Sequence, residues 1–126
     1  MVDTLGLLLA VVVHAADVQD RDGAKIVLKE VLKKFTGITT IWADGGYAGK
    51  LIDWARDFGG WALTIVKRRP VPRFEVLPKR WIVERTFGWL NRSRRLSKDY
   101  EEHTANSETV VMIAMINLMS RRLARK

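Results

Sequence analysis

The spacing of apolar and polar positions changes along the chain, and each change predicts a new element. Residues 7–14 form an apolar run typical of a strand buried on both faces, with Val2 in an antiparallel partner strand and a turn over residues 3–6. Apolar positions then recur at helical spacing over residues 24–35, and Gly37 ends that segment. The N-terminal part is therefore predicted to be a hairpin of strands followed by a helix.

Strand and helix alternate in the middle of the chain. Residues 38–43 are rich in β-branched side chains and predict a short strand, with Asp44 at its carboxyl end. The apolar positions over residues 51–58 predict a short amphipathic helix, and residues 61–66 predict another strand. This order is typical of an α/β fold whose sheet is mostly parallel after its opening hairpin.

The C-terminal part is predicted to be helical after a basic loop. Residues 67–79 contain all 3 prolines of the chain and predict that loop. Residues 79–100 place Glu84 on a helix, and a last, strongly apolar helix is predicted over residues 105–124. The side of the Glu84 helix expected to face the core carries Trp81, Ile82, Val83, Phe87, Trp89 and Leu90. Residues 1–126 are expected to form one domain.

The charge distribution narrows the class of partner. Residues 1–66 contain 7 Lys/Arg and 8 Asp/Glu, whereas residues 67–126 contain 15 and 6, so the two parts carry −1 and +9. A basic half of this kind favours a nucleic acid, although basic ribosome-associated and membrane-surface proteins share the feature. The chain has no cysteine, which excludes disulfides and thiolate zinc sites and favours a cytoplasmic location.

The apolar N-terminal run imitates a secretory signal, but its flank argues against one. Asp3 stands where a signal would have a lysine or an arginine, and the run is shorter than the about 20 apolar residues that span a bilayer. No membrane association is therefore expected. Because the chain opens in the middle of a predicted hairpin, we expect it to be truncated, with a preceding strand missing.

The helix around Glu84 carries more cations than one carboxylate can pair with. These cations are Arg80, Arg85, Arg92, Arg94 and Arg95. On a continuous helix Arg80, Glu84, Asn91 and Arg95 would share one side. The surplus positive charge indicates an external anion, and a DNA phosphate backbone is the commonest one; Lys67, Arg68 and Arg69 of the basic loop are further candidates for DNA binding. The alternative is a surface helix in which Glu84 pairs with Arg80 one turn back.

Asp44 is the second candidate carboxylate. It follows a predicted strand, and ligands of parallel sheets collect at the carboxyl ends of strands, so a metal-binding role is expected there. The alternative is a helix N-cap or turn residue, since Asp before Gly is a strong turn signal. The spacing alone leaves both interpretations open.

Two segments carry a resemblance to a known family. Residues 41–49 and residues 80–92 resemble the second-aspartate and glutamate motifs of DDE transposases of bacterial insertion sequences, of the insertion sequence four/five type, and the resemblance covers essentially the whole chain. Leu77 and Asn91 stand where the family pattern has a tyrosine and a basic residue. The first catalytic aspartate of the family has no counterpart here, because Asp3 resembles a later residue of the pattern.

The resemblance implies a fold, a reaction and a site. The expected fold is α/β, a ribonuclease H-like mixed sheet flanked by helices and lacking its first strand. Family members use three carboxylates to hold two divalent metals for cleavage and strand transfer of DNA. Asp44 and Glu84 would be catalytic metal ligands for Mg²⁺ or Mn²⁺, and Arg80, Arg85 and Arg92 would contact double-stranded DNA.

The implied function is DNA transposition by the C-terminal part of a catalytic domain. With one carboxylate missing, this form is expected to have impaired catalysis, and homo-oligomers are compatible with the resemblance. The alternative is a basic DNA-binding remnant without catalysis. A basic structural protein would explain the charge but not the two motifs.

Overall fold

The computed structural model describes residues 1–66 and 79–125, which belong to two compact units. The sheet unit is Ala16–Trp81, and the helical unit combines Met1–Ala15 with Ile82–Lys126. The elements are α1 (Asp20–Lys34), β1 (Thr40–Asp44), α2 (Lys50–Gly59), β2 (Ala62–Val66), α3 (Arg80–Leu90) and α4 (Thr104–Leu123). The prediction of one domain over residues 1–126 stays a prediction. The predicted basic loop lies outside the described residues except for Lys79.

The sheet unit is built on two parallel strands joined by a helical crossover. β1 pairs with β2 in the register Ile41 to Leu63 and Asp44 to Val66, and α2 makes the connection that parallel strands require. Ile41 and Leu63 point into the core together with Val31 of α1 and Leu51 of α2. Alternation along the strand therefore places Asp44 on the opposite, exposed side of β1.

Two consecutive glycines end α2. Gly60 has a φ of 68°, and its backbone N–H donates to the carbonyl oxygens of Ala55 and Arg56. A Cβ at Gly59 would overlap the ring of Trp61, which is only 2% exposed. Both glycines are thus needed for the chain to leave α2 and bury Trp61 at the start of β2.

The helical unit begins with the predicted turn. The carboxylate of Asp3 accepts hydrogen bonds from the backbone N–H groups of Leu5 and Leu7, each with a donor–acceptor distance of 2.8 Å. Gly6 occupies the left-handed region with a φ of 80°. Val2 and Leu8 form an isolated antiparallel bridge, so the two arms of the hairpin meet.

The predicted strand over residues 7–14 is wrong. Within the described part of the chain, that segment enters no ladder beyond the bridge at Leu8. Its backbone instead bonds to the N-terminus and to a side chain: the Met1 ammonium donates to the Ala10 carbonyl oxygen over 2.7 Å, and the Val13 N–H donates to Glu108 over 2.8 Å. An apolar run becomes a strand only where a neighbouring strand can pair with it, and the described residues supply none.

The sheet and the Glu84 helix are both shorter than predicted. The structure has an α/β fold, but in its described residues the sheet is a parallel pair rather than a mixed sheet. α3 ends at Leu90, so Asn91 and Arg95 do not continue the side of the helix that carries Glu84. Arg94–Leu96 form a separate 3-10 turn. α4 lies where the last helix was predicted.

Candidate functional site

Asp44 ends β1 and begins a turn. Its Oδ1 accepts a hydrogen bond from the backbone N–H of Gly46 over 3.0 Å, and the 3-10 turn Gly45–Tyr47 follows. The interpretation of Asp44 as a turn residue is therefore confirmed. The side chain is exposed, and its second oxygen makes no hydrogen bond within the described residues. The hydrogen bond to Oδ1 fixes the orientation of the carboxylate, and the second oxygen remains available to a ligand.

Tyr47, three residues after Asp44, lies within the influence of two carboxylates. Partial burial raises the pKa of the Tyr47 phenol, and the negative charges of Asp20 and Asp44 raise it further. Asp20 is the first residue of α1, so this helix brings a carboxylate toward the turn after β1. Sequence reasoning missed both residues, although Tyr47 lies in the same glycine-rich segment as Asp44.

Glu84 lies on α3, one helical turn after Arg80, and both side chains are exposed. The spacing is that of an i, i+4 ion pair. Glu84 belongs to the helical unit and Asp44 to the sheet unit. A role for either as a metal ligand stays a prediction. No group of three or more His, Cys, Asp or Glu residues that could hold a metal occurs within residues 1–66 and 79–125.

The buried side of α3 differs from the predicted one. Ile82 and Thr86 are its buried residues, whereas Phe87 is 60% exposed. Trp81 and Val83 are also exposed, so the expectation of these three side chains in the core is wrong. The physical reason is the position of Thr86, whose hydroxyl donates to the Gly6 carbonyl oxygen over 2.7 Å and turns that side of the helix toward the N-terminal turn.

Arg85 is attached to the same turn. Its Nη2 donates to the Leu5 carbonyl oxygen over 2.8 Å, and its Cζ lies 4.8 Å from the centroid of the Trp89 ring. The Cζ of Arg122 from α4 lies 4.0 Å from the same centroid. Trp89 thus contacts two guanidinium groups, a geometry favourable for cation–π attraction. Arg85 therefore has structural contacts in its own chain. Its binding to DNA stays a prediction.

The remaining arginines lie after α3. Arg95 pairs with Glu101 through its Nε at 2.7 Å, and this hydrogen bond and charge raise the pKa of Arg95 above its ordinary value. Arg92 and Arg94 are exposed and form no salt bridge within the described residues. These two cations therefore have charge that an external anion can neutralise. Lys67, Arg68 and Arg69, also predicted to bind DNA, lie outside the described residues.

The donor chemistry at Asp44 fits a hard divalent cation. Mg²⁺ is usually bound through one or two carboxylates together with water and substrate phosphates, and an exposed carboxylate with one oxygen available meets that requirement. Glu84 supplies the same kind of oxygen donor.

Among the described residues, no helix combines the length and the apolar character needed to cross a bilayer.

Comparisons with known proteins identify the family. Neither the curated proteins nor the solved structures contain a match to this chain. A family model described as Transposase DDE domain matches residues 1–119, and the matched range includes Asp44, Glu84 and the arginines after α3. The chain therefore belongs to the family of transposase DDE domains.

Proposed function

We propose that this chain acts in DNA transposition, as the C-terminal part of a ribonuclease H-like catalytic domain of the insertion sequence four/five type. The observation that carries the proposal is the family match over residues 1–119, which includes an exposed aspartate at the carboxyl end of a parallel strand. Ligand-binding groups of α/β sheets collect at this edge. Glu84, exposed on α3, is the other carboxylate of the proposed site.

Asp44 and Glu84 would hold Mg²⁺ or Mn²⁺ in this function. When bound, such a cation supplies activation of a water or a 3′ hydroxyl and stabilisation of the leaving oxygen at a DNA phosphodiester. The Gly46 N–H keeps one oxygen of Asp44 in place, so the carboxylate is oriented before a ligand arrives. This pre-orientation lowers the entropy that binding would otherwise cost.

The arginines after α3 would hold the DNA backbone. Arg92 and Arg94 are exposed and can each neutralise a phosphate, whereas Arg95 is already paired with Glu101. Arg80 on the first turn of α3 and Arg85 beside the N-terminal turn are further candidates. The partner is double-stranded DNA, at transposon ends and at the target.

Catalysis by this chain alone is proposed to be impaired. A two-metal reaction requires carboxylates that position both ions, and the resemblance leaves the family's first catalytic aspartate without a counterpart in this chain. The second candidate function is therefore DNA binding without catalysis. The exposed charges of Arg92 and Arg94 support it as well as they support the first.

Metal binding separates the two candidates. Mn²⁺ binding to the chain mixed with duplex DNA can be followed by the loss of the free-ion electron paramagnetic resonance signal. We expect Asp44→Asn and Glu84→Gln each to remove most of this binding. Asp99→Asn is the matched control, since it removes one negative charge from an exposed carboxylate, as the site variants do.

The outcomes are distinct. If both site variants bind Mn²⁺ as the parent does while DNA binding persists, the catalytic proposal fails and DNA binding alone remains. Equal losses in the site variants and in Asp99→Asn would show only a general effect of charge. A loss confined to Asp44→Asn and Glu84→Gln supports a shared metal site.

A further inference from the structure

α4 has an apolar side that nothing in the described part of the chain covers. Its buried side centres on Met115, which is 1% exposed. On the outward side, Ile113, Ile116 and Leu123 are 60%, 57% and 69% exposed, and Met112 is 42% exposed. Large apolar side chains concentrated on one side of a 20-residue helix mark an interaction surface rather than scattered exposure.

The outward side follows the spacing of helices that pack against helices. Apolar or small residues recur at alternating intervals of four and three. We call them the α4 seam, and they are Ala105, Thr109, Met112, Ile116, Met119 and Leu123. This spacing keeps one stripe facing a partner helix along its whole length.

The charges of α4 are divided between its two ends. Glu101, Glu102 and Glu108 lie at or before the first turns, and Arg121, Arg122 and Arg125 lie at or after the last ones. An antiparallel pair of α4 helices would place each acidic end beside a basic end. A parallel pair would place like charges together, which is unfavourable.

Three of these charged side chains are exposed and enter no salt bridge within the described residues. They are Glu102, Arg121 and Arg125. The others have contacts in their own chain: Glu101 with Arg95, Glu108 with the Val13 N–H, and Arg122 with the Trp89 ring. Charge is therefore available at both ends of the seam, and the antiparallel helix dipoles add to the attraction.

The α4 seam is also complementary to a second copy of itself in the antiparallel orientation. With a two-fold axis near residue 114, Ile116 lies opposite Met112 of the second copy and Leu123 lies opposite Ala105 of the second copy. Met119 then lies opposite Thr109. Each layer pairs a larger side chain with a smaller or more flexible one, as good packing requires.

We propose that the α4 seam binds the same seam of a second copy of this chain, with the two helices antiparallel. A 20-residue helix is about 30 Å long, so the interface is smaller than the about 800 Å² per partner of a stable complex. The dimer is therefore weak and dissociates on dilution. It needs neither DNA nor metal.

The oligomeric state in the absence of DNA tests the surface. Sedimentation equilibrium of the full chain should show a mass that rises from monomer to dimer with concentration. Ile116→Glu places a charge in the centre of the seam and should weaken association at least about tenfold. Asn117→Glu is the matched control, because Asn117 is the exposed neighbour that lies off the seam.

Each outcome decides the proposal. Association lost in Ile116→Glu and kept in Asn117→Glu supports it. The proposal is overturned if the chain is a monomer at every concentration or if the two variants associate equally. This holds whether the seam is exposed to solvent or covered by another part of its own chain. Leu123→Ser, which adds no charge, should weaken association in the same direction, and circular dichroism should show unchanged helix content in all three variants.

Disulfide cross-linking tests the orientation, since the chain has no cysteine of its own. Mixing Ala105→Cys with Leu123→Cys should give a cross-linked heterodimer under mild oxidation, because these positions are opposite in the antiparallel register. Ala105→Cys alone should give little cross-link. The reverse pattern would show parallel helices and overturn the proposal. Failure here leaves the metal and DNA tests unaffected, because those do not depend on association.

Discussion

The sheet unit and the helical unit hold their backbones in place by different means. In the sheet unit, the parallel ladder of β1 and β2 rests on a core that includes Val31 and Trp61, which are 0% and 2% exposed. In the helical unit, the N-terminal segment joins no ladder in the described residues and is held by side chains that bind its carbonyl groups, chiefly Thr86 and Arg85. The sheet unit depends mostly on apolar burial. In the helical unit, a few polar contacts hold the N-terminal segment beside a core that includes Ile82 and Met115.

This difference has a consequence for function. Asp44 is placed by a ladder and a fixed turn, so its position is insensitive to single contacts at the surface. Glu84 lies two residues from Thr86 on the helix that carries the contacts with Gly6 and Leu5. The two proposed ligands are therefore held by different means, Asp44 by a buried unit and Glu84 by a helix with specific hydrogen bonds.

The largest expected effect is in the core of the sheet unit. Trp61→Ala removes a fully buried indole and should lower the stability of that unit by about 3–5 kcal/mol. Amide hydrogen exchange of β1 and β2 measures this directly, because opening of the unit exposes both strands. Trp42→Ala is the control, since Trp42 is 44% exposed in the same unit. Equal acceleration by both variants would contradict the role given to Trp61.

The next effect tests the polar contacts of the helical unit. Thr86→Val keeps the shape of the side chain but leaves the Gly6 carbonyl without its donor, which should cost about 1–3 kcal/mol. Exchange of the amides of Gly6 and Leu7 should become faster, with little change in β1 and β2. Thr86→Ser retains the donor and should stay closer to the parent. If Thr86→Val accelerates exchange in both units alike, the distinction between them fails.

A smaller effect concerns DNA affinity. The chain should bind duplex DNA, with log affinity falling with log salt by about 0.9 per neutralised phosphate. Arg92→Ala and Arg94→Ala should each reduce the slope by about that amount, whereas Arg95→Ala should change it less because Glu101 already pairs with Arg95. Fluorescence anisotropy at several salt concentrations gives the slopes. A parent slope of zero would remove the DNA-binding proposal.

The smallest expected effect is the pH dependence of the sheet unit. The pKa of Tyr47 is raised above its ordinary value of 10.0, so the folded chain holds this proton more tightly than the unfolded chain does. The resulting stabilisation is fully present below pH 10 and is lost as the pH rises through the folded-state pKa. Tyr47→Phe should therefore flatten the alkaline decline seen in urea unfolding curves. If the alkaline decline is the same in Tyr47→Phe, groups other than Tyr47 cause it.

Local signals made several elements predictable. Asp44 before two glycines, the turn over residues 3–6 and the Gly59 and Gly60 end of α2 are all determined by short-range hydrogen bonds and backbone freedom. The family was also predictable, because the motif residues stand at fixed spacings in the sequence. Such features need no knowledge of what packs against them.

Tertiary structure alone decided which apolar residues are covered. The run at residues 7–14 has the composition of a strand but joins no ladder in the described residues, and Phe87 lies on an apolar side of α3 yet is 60% exposed. Thr86, a polar residue, takes the buried position instead, because the Gly6 carbonyl accepts its proton. The sequence by itself determines where the chain turns and which motifs it carries. Burial depends on partners distant in sequence, so only the folded chain determines which face of each element becomes the core.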